Sequence, residues 1–277
     1  MRLALVLHPT RPTAAATAER LVAAAKLRGI VVSGHPGDAA RVPGLVAREP
    51  GEPLSDDVVV AVGGDGTVLE AARVARASDI PVLGINAGTL GFLAEVEPAR
   101  IDEALDSLLA GRYLVAERMT LEASLPGGAK VDGLNDIVVE KAVSRQVVSV
   151  AVSVNGERLV EYRADAVIVS TPTGSTAYTF SAGGPLVDPD IEAILLTPVA
   201  AHSAFGRAIV FSPQVTLDVL VTSDRRGRVN VDGQTYAELD PGEAIGIVRG
   251  PTPARFIRLR PRNFAHTVKE KFQLPDA

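Results

Sequence analysis

The chain contains no cysteine and no tryptophan. The absence of cysteine excludes a disulfide scaffold, a thiolate zinc site, an iron–sulfur cluster and a cysteine nucleophile together, and it fits a reducing cytoplasm. Long apolar runs are also missing. The first one, residues 3–7, ends at His8 and Pro9, whereas a membrane span needs about twenty apolar residues and a signal peptide a longer apolar region with a small-residue cleavage site. Positive charge is not in excess. The net charge of −5 argues against non-specific binding to nucleic acid or to an anionic membrane, so neither is expected as a partner. A phosphate held locally by backbone donors and a metal ion stays open.

What is present describes a globular protein. The 277 residues are 47% hydrophobic and 22% charged, enough for a sizeable core, and their number suggests two domains or one barrel. The first hundred or so residues alternate strand-like and helix-like segments. Strands are expected at 3–7, 30–32, 58–62 and 81–85. Helices are expected at 14–28, 68–77 and 98–110, with Thr13 and Pro98 at two of the starts and Gly29 and Gly111 past two of the ends. Residues 35–54 show no clean periodicity and read as irregular. This alternation implies βαβ units and a mostly parallel sheet.

Beyond Tyr113 the pattern becomes β-rich. Val148, Val150, Val152 and Val154 alternate with small residues, and Asn155-Gly156 then turns the chain into 159–162, a strong hairpin signal. Residues 229–233 read as a second hairpin turn. Further strands are expected at 137–139, 166–170, 209–211, 215–221, 244–248 and 256–259, and residues 263–272 regain helical character. The expected division is 1–118, joined by about 260–277, as an α/β nucleotide-binding domain, and 119–259 as a β-rich domain. The C-terminal helix would return to the first domain.

Three segments carry chemistry. Gly63-Gly64-Asp65-Gly66-Thr67 lies between an apolar strand and a helix, where glycines admit close approach of a ligand and the helix N-terminus favours phosphate. Asp65 would repel phosphate unless it serves a hydroxyl or Mg²⁺. The spacing is neither the dinucleotide fingerprint nor a Walker loop, and a tight β–α turn with an Asp cap explains the segment equally. Residues 171–178 supply four hydroxyl side chains before Tyr178, a surface suited to ribose, amide or phosphate oxygens, or simply a polar turn. Ser181-Ala182-Gly183-Gly184-Pro185 follows closely. Asn135-Asp136 precedes a strand, as a turn or as a pair of groups for adenine and ribose.

In this order the segments resemble the NAD kinase family. Asn86-Ala87-Gly88-Thr89-Leu90-Gly91-Phe92-Leu93 and Tyr162-Arg163-Ala164-Asp165 are similar to two further family elements. The likeness runs from about residue 58 to 211 and more weakly to both ends. The glycine loop alone is shared with diacylglycerol and sphingosine kinases and, with Ser last, with phosphofructokinases; residues 171–178 are the specific part.

The resemblance implies transfer of the terminal phosphoryl of ATP to the 2′-hydroxyl of the adenosine ribose of NAD. Asp65 would hold or deprotonate that hydroxyl, Gly64, Gly66 and Thr67 would meet phosphates, and Phe92 would pack at the adenosine. Asn135 and Asp136 would bind the adenosine part and Asp165 the nicotinamide end, with Thr173, Thr176, Ala177, Tyr178 and Ser181 lining the dinucleotide site. Arg163 would accompany preference for NAD over NADH. Mg²⁺ would travel mainly with the nucleotide phosphates rather than in a protein cage, polyphosphate is a second donor candidate, and a homodimer or homotetramer in the cytoplasm is implied. Glu70, three residues after Thr67, reads as a capping box, His202 as a structural imidazole, and Arg225, Arg226 and Arg228 as a solvated hairpin flank. The rival readings are a lipid or small-polyol kinase sharing the glycine loop and a non-catalytic nucleotide-binding regulator.

Overall fold

The computed structural model describes residues 1–49, 52, 54–88, 91–143, 147–203, 205–261 and 263–275. Two units divide the chain, Met1–Glu117 with Ala254–Ala277, and Arg118–Pro253.

The first unit runs β1 (Arg2–Leu7), α1 (Pro12–Leu27), β2 (Val31–Gly34), α2 (Pro36–Ala39), β3 (Val46–Ala47), β4 (Val58–Gly63), α3 (Asp65–Arg76), β5 (Val82–Asn86), α4 (Ile101–Leu109) and β6 (Leu114–Arg118). The strand β19 (Ala254–Arg258) and helix α6 (Phe264–Phe272) complete it. The sheet order is β3-β2-β1-β4-β5-β19-β6. Pairing is parallel from β3 through β19. Every residue of β4 is buried, as a central parallel strand with both faces covered requires. On one face Leu3, Leu5, Val60 and Ile85 pack with Ala18 and Leu21 of α1 and Leu105 of α4. On the other lies α3, whose buried Ala71, Ala72 and Ala75 let a helix sit close to the strands.

Several boundaries depart from the sequence expectations. Helix α1 starts at Pro12 with Arg11 as its N-cap residue, and the Thr13 hydroxyl donates instead to the Ala87 carbonyl at 2.7 Å. Helix α3 starts three residues before the expected point, because the Gly64 carbonyl already takes the N–H groups of Thr67 and Val68. Thr67 is therefore inside the helix, and no capping box forms. Glu70 pairs with Arg73 at 2.8 Å, an exposed i,i+3 contact worth a few tenths of a kcal/mol, about 0.2–0.5. Residues 36–39 and 46–47 are regular but too short for periodicity to reveal. The strand expected at 256–259 lies in the first unit, where Phe256 pairs with Val82. Phe256, Ile257 and Arg258 are all buried, the mark of an interior strand rather than of a half-solvated hairpin.

The second unit is antiparallel. It runs β7 (Leu121–Ser124), β8 (Lys130–Gly133), β9 (Asp136–Lys141), β10 (Val148–Val154), β11 (Glu157–Ala164), β12 (Ala166–Ser170), α5 (Tyr178–Ser181), β13 (Ile194–Val199), β14 (Ile209–Phe211), β15 (Leu217–Val221), β16 (Gly227–Val231), β17 (Gln234–Leu239) and β18 (Ala244–Arg249). Two six-stranded sheets result, ordered β11-β10-β15-β18-β7-β8 and β14-β13-β12-β9-β16-β17. Val150, Val152, Val219 and Ile247 from one sheet share a core with Ile137, Val139, Val167 and Val229 from the other, the inner layer of a sandwich. The alternation read in β10 is present in part: Val148, Val150 and Val152 are fully buried and Ser149 and Ser153 half-buried, but Ala151 is buried too and Val154 only half-buried. Asn155 and Gly156, with φ of +52° and +82°, make the turn into β11, and Asp232 and Gly233, at +49° and +80°, the turn into β17. No helix among the described residues is long and apolar enough to cross a membrane.

Gly156 has open space around its Cβ position, so the cost of a side chain there is backbone strain alone. Gly156→Ala is expected to lower the unfolding free energy by about 1–2 kcal/mol, measured by urea titration.

Candidate active site

In the first unit, sequence order and sheet order diverge at β1. The chain leaves β1 for β2 on one side and returns to β4 on the other. At such a reversal the loops leaving the strand ends splay apart and open a crevice. Here β1 runs into His8 and Pro9, β4 into Gly64 and Asp65, and β5 into Ala87 and Gly88. A cleft of ≈ 470 Å³ lies at this end, lined by His8, Pro9, Arg11, Gly64, Asp65, Gly66, Thr67, Glu70, Gly91 and Lys271 among others. Gly64 is the N-cap of α3 and supplies no side-chain cap, so the first-turn donors of Asp65 and Gly66 meet the cleft uncapped.

Asp65 is half-buried and aimed by its neighbours. One carboxylate oxygen accepts the Phe92 N–H at 2.8 Å and the other the Leu93 N–H at 3.0 Å. That approach requires glycine at 91, where a Cβ would stand 2.1 Å from an Asp65 oxygen. Gly63 is required for a similar reason, since a Cβ would meet the buried Thr67 hydroxyl at 2.2 Å. Phe92 was expected to meet adenosine. Its ring is 7% exposed and contacts the rings of Phe264 and Phe272, with centroids 6.4 and 6.1 Å away. Its backbone N–H meets the Asp65 carboxylate, and the cleft-lining Lys271 stands over its ring at 6.0 Å. Thr89 and Leu90 of the same segment lie outside the described residues.

In the second unit, strand register gathers three loops. Ser170 pairs with Asp136 and Val231 with Ile137, so the segments after β12 and β16 meet the segment before β9. The Asp232 carboxylate accepts the N–H groups of Leu134, Asn135 and Asp136 at 2.8, 2.7 and 3.1 Å. Thr171 donates its hydroxyl to the Leu134 carbonyl at 2.6 Å and its N–H to that of Asn135 at 2.9 Å. A Cβ on Gly174 would stand 2.0 Å from the Asn135 carbonyl oxygen, so the two segments touch backbone to backbone.

The hydroxyls of 171–178 divide by role. Thr171 is buried in this brace, and buried Ser175 exchanges hydrogen bonds with the Val187 backbone. Thr176 donates to the Thr173 carbonyl. Thr173 is buried, Thr176 and Ala177 half-buried, and Tyr178 and Ser181 exposed. Helix α5 folds back along β12, with Thr179 donating to Ser170 at 2.7 Å and Ala182 packing on Val138, Ala166 and Ile168.

Asp165 sits just before β12, five residue steps or roughly 16 Å along the strand from Ser170, the partner of Asp136, and Arg163 lies near the end of β11. Asp165 is ion-paired to Lys141, and Arg163 is exposed. His202 is exposed, not buried as a structural residue would be, and its backbone N–H donates to the Arg163 carbonyl at 2.8 Å. Arg225, Arg226 and Arg228 pair with surface carboxylates.

Two ionisable groups stand out. Asp136 is 5% exposed, and burial, with the Asp232 carboxylate adding repulsion, pushes it up to about 7. The Tyr178 phenol is pushed upward by burial and then by Glu140, Asp165 and Asp136, so it remains an O–H donor. Among the described residues no group of three or more His, Asp or Glu side chains is placed to hold a metal ion.

The family model of the ATP-NAD kinase N-terminal domain matches residues 47–113, and that of the C-terminal domain residues 134–259. The chain belongs to the ATP-NAD kinase family. It is 38% identical over 295 residues to the NAD kinase of Rhodococcus opacus, covering 98% of this chain and 92% of that one. It is also 38% identical to the NAD kinase of Symbiobacterium thermophilum, covering 98% of each. Among solved structures, an NAD kinase from Archaeoglobus fulgidus in complex with ATP is 28% identical, with a TM-score of 0.76 over 99% of this chain and 97% of that one. Yeast NADH kinase complexed with NADH is 23% identical with a TM-score of 0.91, covering 100% of this chain and 89% of that one, and so shares the fold.

Two residues with clear work in these clusters carry little signal of it in the sequence: Gly91 lies within a motif, and Asp232 reads as a turn residue. An Asp-Gly turn announces a hairpin, but nothing local says that its carboxylate crosses to residues nearly a hundred positions earlier.

Asp232→Ala removes the acceptor of three amides, and a loss of about 2–3 kcal/mol in unfolding free energy is expected, with weakened NAD binding in calorimetry. Asp136 gives a pH signature. Its ordinary value is 3.8 and its folded value about 7. Across that window the folded protein keeps a proton that the unfolded chain releases, so its contribution to stability declines as pH rises. Asp136→Asn is therefore expected to gain on wild type in unfolding free energy between about pH 4 and 7 and to hold a constant difference above about 8. A pH-independent difference across the window would contradict this.

Proposed function

We propose that this chain is an NAD kinase that transfers the terminal phosphoryl group of ATP to the 2′-hydroxyl of the adenosine ribose of NAD, giving NADP. The observation that carries the reading is a carboxylate, Asp65, held by two backbone amides at the uncapped start of a helix, in the cleft where the sheet order reverses. Family membership in both units supports it over a lipid or polyol kinase, which would share only the glycine loop.

The ribose 2′-oxygen attacks the terminal phosphorus of ATP. As the new O–P bond forms, its proton passes to the Asp65 carboxylate. The bond from phosphorus to the β-phosphate oxygen breaks, and the electron pair leaves with ADP. A positioned base of this kind contributes roughly 10²–10⁴-fold to such a reaction, and in-line positioning supplies much of the rest. Gly64 and Gly66 admit the phosphates to the α3 donors, with Thr67 bracing the loop. Mg²⁺ would enter mainly on the nucleotide phosphates and would supply neutralisation of their charge.

In the second unit, Asn135 and Asp136 take the adenosine part of NAD and Asp165 the nicotinamide end. Thr173, Thr176, Ala177, Tyr178 and Ser181 line the dinucleotide between them, Tyr178 as a neutral donor. The separation of Asp136 from Asp165 along β12 supports assigning them to different ends of an extended ligand. Arg163 favours NAD over NADH. Assembly into a homodimer or homotetramer through the β-rich unit is part of the reading, as is a cytoplasmic location, which suits a cysteine-free sequence.

The test is purified protein with NAD, ATP and Mg²⁺, assayed for NADP, then repeated with polyphosphate and with NADH. Asp65→Asn is expected to bind NAD within about twofold of wild type and to lose at least about 10²-fold in turnover. Retained turnover would remove the base from the mechanism, and binding of NAD without any NADP formation by wild type would favour a regulator.

A further inference from the structure

The cleft holds a charge that this mechanism leaves unused. The Arg11 side chain turns back over the loops that follow β4 and β5. Its Nη1 stands 2.2 Å from the Cβ position of Gly88 and 3.7 Å from that of Gly64, so the guanidinium covers one glycine and flanks the other. A side chain at 88 would displace it. Its backbone is set by His8, whose Nδ1 accepts the Arg11 N–H at 3.2 Å. Other arginines of this unit, Arg28, Arg41, Arg73 and Arg100 among them, pair with Asp or Glu. Arg11 pairs with no carboxylate among the described residues, although two line the same cleft. Asp65 is aimed by the amides of Phe92 and Leu93, and Glu70 is paired with Arg73. A half-buried guanidinium without an acid partner, beside uncapped helix donors, calls for an anion from outside the chain. Its planar fork matches two phosphate oxygens at once.

We propose that Arg11 binds the phosphates of the donor nucleotide and supplies the counter-charge that a Walker lysine supplies elsewhere. This rests on the NAD kinase reading: the phosphoryl group in flight must lie within bonding reach of the hydroxyl that Asp65 serves, and Arg11 shares that cleft. Charge moves onto the donor's leaving oxygen as the terminal phosphoryl departs, so Arg11 acts on turnover as well as on donor affinity.

The experiment uses the full chain with Arg11→Ala and Arg11→Lys, each checked for an unchanged unfolding midpoint. Arg11→Lys serves as the measure if the alanine variant does not fold. Affinity for ATP with Mg²⁺, for inorganic tripolyphosphate and for NAD is measured by calorimetry, and kcat and KM are determined for both substrates. Arg11→Ala is expected to weaken ATP and tripolyphosphate by the same factor, about 10–100-fold, and to lower kcat/KM for ATP at least as much. NAD affinity stays within about twofold, and Arg11→Lys falls between the two proteins because it keeps the charge and loses the fork. Weakening confined to NAD, or unchanged affinity for both triphosphates, overturns the proposal. If wild type makes no NADP, the NAD kinase reading fails, and tripolyphosphate binding still decides the role of Arg11: loss in Arg11→Ala upholds it, and equal or absent binding in both proteins refutes it.

Discussion

A carboxylate that accepts two consecutive backbone N–H groups is held in direction as well as in place, and the first unit is organised around one such group. Asp65 begins a helix that starts where the central strand ends, and Phe92 and Leu93 bring their amides to it. The approach is close enough to exclude a Cβ at 91. It also ties the segment after β5 to the start of α3, so both walls of the cleft share one anchor. Phe92 is in turn packed against two rings of the C-terminal helix. The aim of the proposed base thus depends on residues from two distant parts of the chain.

The second unit repeats the device with the roles exchanged. There the carboxylate, Asp232, is the brace, and the residues it holds, Asn135 and Asp136, are those that face the ligand in the proposed function. The arrangement has an electrostatic consequence. A braced anion beside a buried Asp136 adds to the cost of ionising it, and the group comes to titrate near neutrality. Rigidity and an altered proton affinity share one source, the half-buried Asp232 carboxylate set beside the buried Asp136 at one sheet end.

Much of this was legible in the residues. Strand–helix alternation announced the parallel sheet, the period of two in β10 announced the sandwich, and Asn155-Gly156 announced its hairpin, because each is a local property that side-chain spacing records. The strand at 254–258 went to the other unit because its neighbours in the sheet are some 140 and 170 residues away, and periodicity carries no information on partners. Helix α3 began early for a similar reason: backbone capping by Gly64 leaves no side-chain signature.

The chemistry belongs to the sequence by itself. A glycine loop with one aspartate, a run of hydroxyls ending in tyrosine, an Asn-Asp pair and the lack of cysteine determine which reactions are available, since reactivity follows from functional groups. Tertiary structure alone decided which of those groups brace and which stay free of the bracing. Thr171 and Ser175 are spent internally, Phe92 contributes an amide to Asp65, and Arg11, silent as sequence, pairs with no carboxylate among the described residues. These distinctions turn on distances of a few ångströms between segments remote along the chain, and only the folded backbone sets those distances.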